Sequence, residues 1–440
     1  MSDLTILIVG AGGREHALAW KLAQSPRVGR IYVAPGNAGT AEIATNLPIG
    51  VEDIDRLAMW AREKNADLTV VGPEVPLALG IVDTFRAAGL PIFGPTQAAV
   101  QLEASKAFAK RFMRDHAIPT GRFATFGDYA AARAYLAAHP GPVVVKASGL
   151  AAGKGVVVCD TAAEAQTAVH TMLVARSFGA AGSEVLLEER LEGPEVSLLA
   201  FCDGRTAVPM LPARDHKRAY DADAGPNTGG MGVYAPPPDV DAGLVQHIMD
   251  TVITPTVKGM AAAGTPYTGV LYAGLMLTPD GPKVLEFNCR FGDPETQAIL
   301  PLLDADLADV MLACIEGRLT SDLVRVRPGA AATVVMAAPG YPGSYPKGLP
   351  IAGLDALPDD GVVFHAGTAR QGGQIVSSGG RVLAVSAVAA DLPTAVSRAY
   401  ACVSRIHFDG AHYRTDIGRP SGAQQERKET QRNAESAKQV

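Results

Sequence analysis

Short apolar runs alternate with helical patterns over the first hundred residues of this 440-residue chain. The first run, at residues 4–9, leads through a glycine turn into a helical pattern over about residues 14–23. Repeated strand–helix units predict a parallel sheet with helices on both faces, and such sheets bind ligands at the carboxyl ends of their strands. Glycine-rich stretches follow four of these runs, at residues 10–13, 35–37, 72–74 and 94–95. We therefore expect a binding site along that edge.

The chain is longer than one hydrophobic core usually supports, so we expect several domains in an α/β and α+β multidomain fold. Changes in the strand and helix pattern place their boundaries. We predict an N-terminal parallel α/β domain at residues 1–103, a linking helix within 104–122 and a small second module at 123–191. A central domain of longer antiparallel strands follows at 192–328 and a small C-terminal α+β domain at 329–420. The polar tail at 421–440 is expected to be disordered.

Composition narrows the class of protein. The net charge of −6 argues against binding nucleic acid through a global positive field. The five cysteines are scattered without metal-ligand spacing, which is typical of buried thiols in a reducing compartment. Because an apolar strand pattern begins at residue 4, we expect no signal peptide, and no apolar run approaches the roughly 18 residues that a membrane helix needs. We expect a cytoplasmic protein that does not contact membranes.

The strand pattern at residues 284–288 carries the most informative polar residues. Successive side chains of a strand point to opposite faces, so Glu286 and Asn288 share one face while Leu285 and Phe287 are expected to fill the other. Two oxygen donors on one strand suit a hard cation such as Mg²⁺, which often bridges to phosphates. The competing interpretation is an edge strand with a solvated polar face.

The residues that follow this strand favour the metal site. Arg290, Asp293 and Glu295 lie around Gly292 and Pro294, which is more charge than a simple turn requires. We therefore predict a functional site here.

The first glycine turn resembles a dinucleotide fingerprint only in part. Gly10 and Gly12 fit the first two glycines of G-x-G-x-x-G, but Glu15 stands at the third. A tight turn at a helix N-terminus favours an anion, and Arg14 adds a charged donor, so we predict a phosphate monoester here. The alternative is a turn that needs glycine for its geometry alone.

A second glycine loop, at residues 146–155, joins two strand patterns and is not a Walker A motif. Its free N–H groups can fold over a polyphosphate, and Lys146 at the strand end can meet a phosphate. The strand at residues 187–195 then runs into a turn, where a base could bind and Glu195 could contact ribose hydroxyls.

Seven motifs, at residues 10–17, 34–40, 71–74, 149–155, 215–218, 225–232 and 290–297, together carry a resemblance. They are similar to those of the ATP-grasp ligases and, among them, of the glycinamide ribonucleotide synthetase (phosphoribosylamine–glycine ligase) family. The match runs from Ile6 to about Arg419. Gly-Pro-Asn-Thr-Gly-Gly-Met-Gly at 225–232 and Arg-Phe-Gly-Asp-Pro-Glu-Thr-Gln at 290–297 are the most specific motifs.

The resemblance implies an N-terminal substrate domain, an ATP-grasp lid at residues 123–191, a central ATP-grasp domain with the metal site and a C-terminal domain. Glu286 and Asn288 would hold Mg²⁺ or Mn²⁺. ATP would bind at Lys106, Lys146, Gly149, Gly153, Lys154, Gly155, Glu188, Leu191 and Glu195. Two residues depart from the family pattern: Ser148 stands where many relatives have Asp, and Arg190 where an aromatic residue is common.

The resemblance also implies the reaction, in which 5-phosphoribosylamine, glycine and ATP give glycinamide ribonucleotide, ADP and phosphate through a glycyl phosphate in purine synthesis. Arg290, Lys217 and Asp293 are the catalytic candidates, and closure of the lid loop at 149–155 should exclude water. We expect small-molecule partners and a monomer or weak homodimer. The predicted substrate contacts are Gly10, Gly12, Gly13, Arg14, Glu74, Pro95, Asp215, Gly292 and Glu295.

Three alternatives differ in testable ways. Another ATP-grasp ligase, one that carboxylates or formylates a ribonucleotide, is disfavoured by the Asp-Pro-Glu-Thr-Gln run. A nicotinamide-dependent dehydrogenase is disfavoured by the missing third glycine. An inactive nucleotide-binding regulator is disfavoured because the lysines and the Glu286/Asn288 pair are intact. His16 and His216 lie in site loops, either as hydrogen-bonding scaffold or as proton carriers.

Overall fold

The computed structural model describes residues 3–151, 155–355 and 361–419. The predicted N-terminal parallel sheet is confirmed. Its strands lie in the spatial order Thr45–Asn46, Val28–Pro35, Leu4–Gly10, Leu68–Val71 and Ile92–Phe93, all parallel. Helices around it are Gly13–Leu22, Thr40–Ile43, Ile54–Glu63, Glu74–Ala78 and Ile81–Ala87.

The central strand of this sheet separates two hydrophobic cores. Leu7 and Val9 belong to one core, whereas Ile6 and Ile8 belong to the other. Because both faces of this strand are buried, its sequence is a continuous apolar run without the alternation of a half-exposed strand. The carboxyl ends of the strands are thereby fixed at one edge of the sheet.

A short helix, Gln101–Ala104, and the linking helix Lys106–Asp115 lead out of this region. The linking helix begins directly after Ser105, because the Ser105 hydroxyl caps it by accepting a hydrogen bond from the Phe108 N–H at 3.2 Å. An antiparallel sheet follows, with strands in the order Phe123–Phe126, Val185–Glu189, Val143–Ala147 and Val156–Cys159. Its helices are Tyr129–Ala138 and Ala162–Val169, the latter continuing as the π-helical turn His170–Val174.

The next sheet is antiparallel, as the lengthening strands predicted. Its order is Ala207–Pro209, Glu195–Asp203, Thr268–Thr278 and Gly281–Asn288. Helices of this part of the chain are Ala242–Ile248, the π-helical turn Met249–Ile253, Thr254–Ala262, Glu295–Leu302 and Leu307–Glu316. Short 3₁₀ turns lie here at Asp221–Asp223 and Ser321–Leu323, and another lies before the strand Val185–Glu189, at Gly179–Gly182. The last strand of the sheet, Gly281–Asn288, carries the predicted metal ligands.

A bulge in that strand corrects one prediction. Gly274 pairs with Glu286 and Leu275 with Val284, so Leu285 has no opposite residue. Val284 and Phe287 are therefore the core residues, whereas Leu285 lines a cavity. The bulge lies before Glu286, so the expected alternation holds from Glu286 to Asn288.

The last sheet crosses the predicted boundary between the central and C-terminal domains. Its order is Arg214–Asp215, Gly232–Ala235, Ala330–Ala337, Arg381–Ala389 and Gly361–His365. Two strands thus come from residues placed in the central domain, and the boundaries stay a prediction. Two small hairpins, Arg218–Tyr220 with Ala224–Asn227 and Thr368–Gln371 with Gln374–Ser377, and the helix Leu392–Val403 complete the fold.

Within the described ranges, no helix is both long and apolar enough to cross a membrane. The five cysteines are buried free thiols, as expected. The predicted disorder of residues 421–440 falls outside the described residues.

Candidate active site

The described sheets meet around a cavity of about 390 Å³. Its wall combines the carboxyl edge of the parallel sheet, the linking helix and the strand Gly281–Asn288. Twelve of the residues predicted from sequence line it, namely Arg14, Glu74, Lys106, Lys146, Gly155, Asp215, Lys217, Glu286, Asn288, Arg290, Asp293 and Glu295. Residues up to 281 positions apart in the chain therefore form one site.

Glu286 and Asn288 project into this cavity from one face of their strand. Burial alone would raise the pKa of Glu286, but Lys217, Lys146 and Lys106 lower it below its usual value. The site thus offers an ionised carboxylate beside a carboxamide oxygen, which is the donor chemistry that Mg²⁺ accepts. Among the described residues no group of three or more His, Cys, Asp or Glu side chains could hold a metal. The chemistry of these two oxygen donors fits a divalent metal ion.

A buried ion-pair cluster lies beside them. The Glu188 carboxylate is 1% exposed and lies between two lysines. Its Oε1 accepts from Lys110 Nζ, and its Oε2 lies 2.6 Å from Lys146 Nζ. Lys146 also donates to the carbonyl of the bulge residue Leu285 at 3.3 Å. The Glu188 side chain was predicted to help hold adenosine. In the structure its two oxygens lie within ion-pair distance of lysines, and the adenosine contact of this side chain stays a prediction.

Lys106 occupies the first turn of the linking helix and donates to the Gly149 carbonyl at 3.4 Å. Burial lowers its pKa, and the nearby Glu286 offsets part of that shift. Ser148 supports the same helix end, because its hydroxyl accepts from the Ala107 N–H at 3.2 Å. The residue that departs from the family pattern thus has a local role as a helix cap.

Arg290 was predicted to meet charge on the transferring group. In the structure its guanidinium lies 3.1 Å from Glu103 and 3.5 Å from Glu74, and it donates to Asn288 Oδ1 at 3.3 Å. Burial alone would lower the pKa of Arg290, but Glu103 and Glu74 raise it. Two carboxylates thus flank its charge and its guanidinium holds the Asn288 carboxamide, while its catalytic role stays a prediction.

The glycine turn before the first helix encloses a side chain of the protein itself. Glu15, which is 2% exposed, accepts from the Gly12 N–H and from Arg14 Nε, each at 2.5 Å. A Cβ atom on Gly10 or Gly72 would overlap Glu15. The anion at this helix N-terminus is thus an internal carboxylate, and the prediction that Gly10 binds a phosphate is corrected. The same carboxylate fills the place of the third fingerprint glycine, which argues against a dinucleotide.

A second cavity, of about 340 Å³, adjoins the first, since Asp293 and Arg381 line both. Arg381 lies 3.4 Å from the Asp293 carboxylate and donates to the carbonyls of Asp293 and Gly229 at 2.9 and 2.5 Å. Burial alone would raise the pKa of Asp293, but Arg381 and Arg14 lower it. The remaining walls are Ala11, Gly12, Gly36, Asn37, Ala366, Gly367, Thr368 and Ser378.

Lys217 lies on the opposite wall of the larger cavity. Its Nζ is 2.8 Å from Glu195 and 3.4 Å from Asp215. Burial alone would lower the pKa of Lys217, but these carboxylates raise it well above its usual value. Burial raises the pKa of Asp215 to about 6. Glu195, predicted to contact ribose, is paired with Lys217 here.

Glu295 is held deep in the site. Its Oε1 accepts from the Tyr272 hydroxyl at 2.9 Å and from Ser197 Oγ at 3.1 Å. Burial and the nearby carboxylate raise the pKa of Tyr272 well above its usual value. Glu295 therefore presents a fixed carboxylate to the cavity.

Comparison with known proteins identifies the family of this chain. Three family models match the chain: the N domain of phosphoribosylglycinamide synthetase at residues 4–103, its ATP-grasp (A) domain at 104–296 and its C domain at 331–420. The chain belongs to the phosphoribosylglycinamide synthetase family.

Individual relatives agree with this family. The chain is 52% identical to the phosphoribosylamine–glycine ligase of Vibrio vulnificus (strain YJ016), over 97% of this chain and 100% of that protein. It is 55% identical to the trifunctional purine biosynthetic protein adenosine-3 of Gallus gallus, of which it spans 42% while 94% of this chain is covered. The crystal structure of phosphoribosylamine–glycine ligase from Thermotoga maritima superimposes with a TM-score of 0.83 at 34% identity, covering 94% of this chain and all of that one.

Several residues predicted for the synthetase site lie outside the two cavities. Pro95 is buried and lines neither cavity, and its substrate contact stays a prediction. Gly13 packs on Gln297, and the Gly292 carbonyl accepts a hydrogen bond from the Thr296 hydroxyl. Leu191 lines neither cavity. Gly153 and Lys154, with the centre of the predicted lid loop, fall outside the described residues.

His16 belongs to the synthetase scaffold. Its Nδ1 accepts from the His365 N–H at 2.8 Å and joins the first helix to the C-terminal sheet. Burial lowers the pKa of His16 to about 3. His216 accepts from the Gly418 N–H through Nε2 at 3.4 Å and likewise joins two segments.

Sequence reasoning missed Glu103, Lys110 and Arg381. Lys110 had a signal, because it follows Lys106 by four residues and so shares its helix face. Glu103 had only its position in the short helix before the linking helix. Arg381 had none, since nothing local marks an arginine that begins a C-terminal strand.

Proposed function

We propose that the chain catalyses the ATP-dependent ligation of glycine to 5-phosphoribosylamine, forming glycinamide ribonucleotide, ADP and phosphate in purine synthesis. The observation that carries this proposal is the single cavity in which Glu286 and Asn288 face Lys106 and Lys146. A strand that presents oxygen donors opposite lysines suits a metal–polyphosphate complex. The family membership and the relatives named phosphoribosylamine–glycine ligase support the same reaction.

ATP-grasp enzymes use ATP and a divalent metal ion, and the residues of this site fit such an ion. We propose Mg²⁺ or Mn²⁺, held by Glu286 and Asn288. When bound, the ion would neutralise charge on phosphate oxygens. Arg290 fixes the Asn288 carboxamide by donating to its Oδ1, and Lys106 and Lys146 supply positive charge for the phosphates. The adenine we place near the backbone of residues 188–191, as the resemblance implies.

Glycine must be activated before it can form an amide. One glycine carboxylate oxygen attacks the γ-phosphorus of ATP, the bond from that phosphorus to the bridging oxygen of ADP breaks, and glycyl phosphate forms. The phosphoribosylamine nitrogen then attacks the glycyl carbon, loses a proton and displaces phosphate. Lys217 remains protonated because of its carboxylate neighbours, so it can stabilise charge on the transferring group.

The other end of the cavity suits the remaining substrate groups. We place the glycine ammonium near Asp293 and Glu295, whose carboxylates line the cavity. The phosphate of phosphoribosylamine we place in the second cavity, near Gly12 and Arg381 and on the side of the adjoining cavity that Arg14 lines. No general base is assigned, because the amine can bind unprotonated. Cytoplasmic location, small-molecule partners and a monomer or weak homodimer stay predictions.

The test is phosphate release from ATP by the purified chain with each co-substrate omitted in turn. We expect release that requires both glycine and 5-phosphoribosylamine. Release that is unchanged without glycine, or that bicarbonate or formate supports in its place, would contradict the proposal and favour a carboxylating or formylating ligase.

A further inference from the structure

We propose that Lys110 is a positioning residue that keeps Glu188 neutralised, so that Lys146 can leave this carboxylate and bind an ATP phosphate. The inference rests on the proposed function only in taking ATP as the ligand of the cavity. It gives a role to a buried lysine that the reaction itself does not use.

The three side chains form one buried cluster with two positive charges and one negative charge. Lys110 is 2% exposed, Lys146 6% and Glu188 1%. Each Glu188 oxygen contacts a different lysine. Glu188 therefore has one more cation than it needs, and one lysine is available for another anion.

The hydrogen bonds show which lysine can leave. Lys110 Nζ donates to Glu188, to Thr120 Oγ1 at 2.5 Å and to the Val284 carbonyl at 3.4 Å. A lysine ammonium has three N–H donors, so those of Lys110 are all used. The described residues give Lys146 two partners, Glu188 and the Leu285 carbonyl. Lys146 thus retains a donor for a phosphate, whereas Lys110 is fixed.

Electrostatics favour the same division of roles. An unpaired buried carboxylate is costly, so Lys146 can be released only if another cation stays with Glu188. Burial lowers the pKa of Lys110 to about 8, an effect that Glu188 opposes and Lys146 strengthens. The two lysines therefore repel each other across the carboxylate, and a polyphosphate that draws Lys146 away relieves that repulsion.

The experiment measures the dissociation constant for ATP by calorimetry, together with KM and kcat, in Lys110→Met and in the double variant Lys110→Met/Glu188→Gln. Lys110→Met should weaken ATP binding by about tenfold or more, because Glu188 then keeps Lys146 as its only cation. The double variant should recover ATP binding to within about threefold of the wild type, because no carboxylate remains to hold Lys146. A purely structural lysine would show no such recovery.

Lys21→Met is the matched control. Lys21 is also buried, at 7% exposure, but it donates to the Leu303 carbonyl away from the cavity. Its replacement should lower Tm and leave the ATP dissociation constant unchanged.

Unchanged ATP binding in Lys110→Met, or a double variant that binds no better than Lys110→Met, would overturn the inference. If Lys110→Met does not fold, Glu188→Gln alone decides. It should bind ATP as tightly as the wild type or more tightly, and binding weakened tenfold would overturn the inference. A wild-type chain that does not bind ATP would instead defeat the proposed function.

Discussion

The two ends of the cavity contain different types of cation and a different balance of buried charge. At the lysine end, three lysines face two carboxylates, and the members are Lys106, Lys110, Lys146, Glu188 and Glu286. At the arginine end, three arginines face four carboxylates, and the members are Arg14, Arg290, Arg381, Glu15, Glu74, Glu103 and Asp293. By formal charge, the groups named leave one cation in excess at the lysine end, which suits a polyphosphate, and one anion in excess at the arginine end, which suits the glycine ammonium group.

The type of cation differs for a physical reason. A guanidinium is planar and binds carboxylates and carbonyls at fixed angles, so the arginines hold walls together. An ammonium on a flexible stem can exchange one oxygen for another, which suits the end where phosphates bind and leave. The comparison therefore predicts that changes at the lysine end affect ATP, whereas changes at the arginine end affect the other substrates.

The largest effect is expected for Glu286→Gln at the lysine end. Loss of this carboxylate should lower the ligation rate by about 10³-fold, because it removes charge that holds the metal–phosphate complex. The measurement is phosphate release dependent on both glycine and phosphoribosylamine, at saturating ATP.

Lys283→Gln is the control for this variant. Lys283 lies on the same strand but outside the cavity, 3.5 Å from Asp280. Its replacement should leave the rate within about twofold, as is usual for surface pairs. If the Glu286→Gln enzyme kept a tenth of the wild-type rate or more, the assignment of Glu286 as a metal ligand would be contradicted.

The next effect is expected for Lys146→Met. It should lower kcat/KM for ATP by about 10²-fold, with a smaller change in KM for phosphoribosylamine, since it removes one buried charged donor to the phosphates. Steady-state kinetics with each substrate varied in turn would check this. Equal losses for both substrates would break the assignment of the lysine end, and the exposed Lys64→Met should change neither value.

Arg14→Ala tests the arginine end. It should raise KM for phosphoribosylamine about tenfold and that for ATP less than about twofold, because one charged hydrogen bond is lost at the phosphoribosyl side. The surface variant Arg27→Ala, which removes an ion pair with Asp309, is the control. Equal increases in both KM values would refute the division between the two ends.

The smallest effect concerns stability at the join between the first helix and the C-terminal sheet. Burial lowers the pKa of His16 to about 3 and that of His365 to about 4, from 6.5. Below pH 6.5 the unfolded chain binds protons that the folded chain does not, so this stability is present above pH 6.5 and is lost as pH falls towards 4. Each pH unit in that window changes the free energy of unfolding by about 1.4 kcal/mol per group.

Urea unfolding at pH 7, 6 and 5 measures this loss. The wild type should lose stability more steeply than His16→Gln, while the exposed His247→Gln should follow the wild type. Parallel slopes for wild type and His16→Gln would show that the pKa of His16 is the same in the folded and the unfolded protein.

Periodicity and spacing were sufficient for the parallel sheet, the linking helix and the shared face of Glu286 and Asn288, because these depend on local geometry. The bulge at Leu285 was not predictable, since it arises from the pairing register with Thr268–Thr278. In the sequence, Glu15 stood out only because it replaces the third glycine of the fingerprint. In the structure its buried side chain leaves no room for a Cβ atom at Gly10 or Gly72. The strand pairing around Leu285 and the contact of Glu15 with Gly72 both form only in the folded chain, so local patterns do not reveal them.

The account depends most on glycine activation at the junction between the two ends. The direct test supplies glycine with ¹⁸O in its carboxylate, together with ATP and phosphoribosylamine, and measures the released phosphate by mass spectrometry. The account predicts one ¹⁸O atom per phosphate, because the glycine oxygen that bonds to phosphorus in glycyl phosphate leaves with the phosphate when the amine attacks the glycyl carbon. Unlabelled phosphate would contradict it.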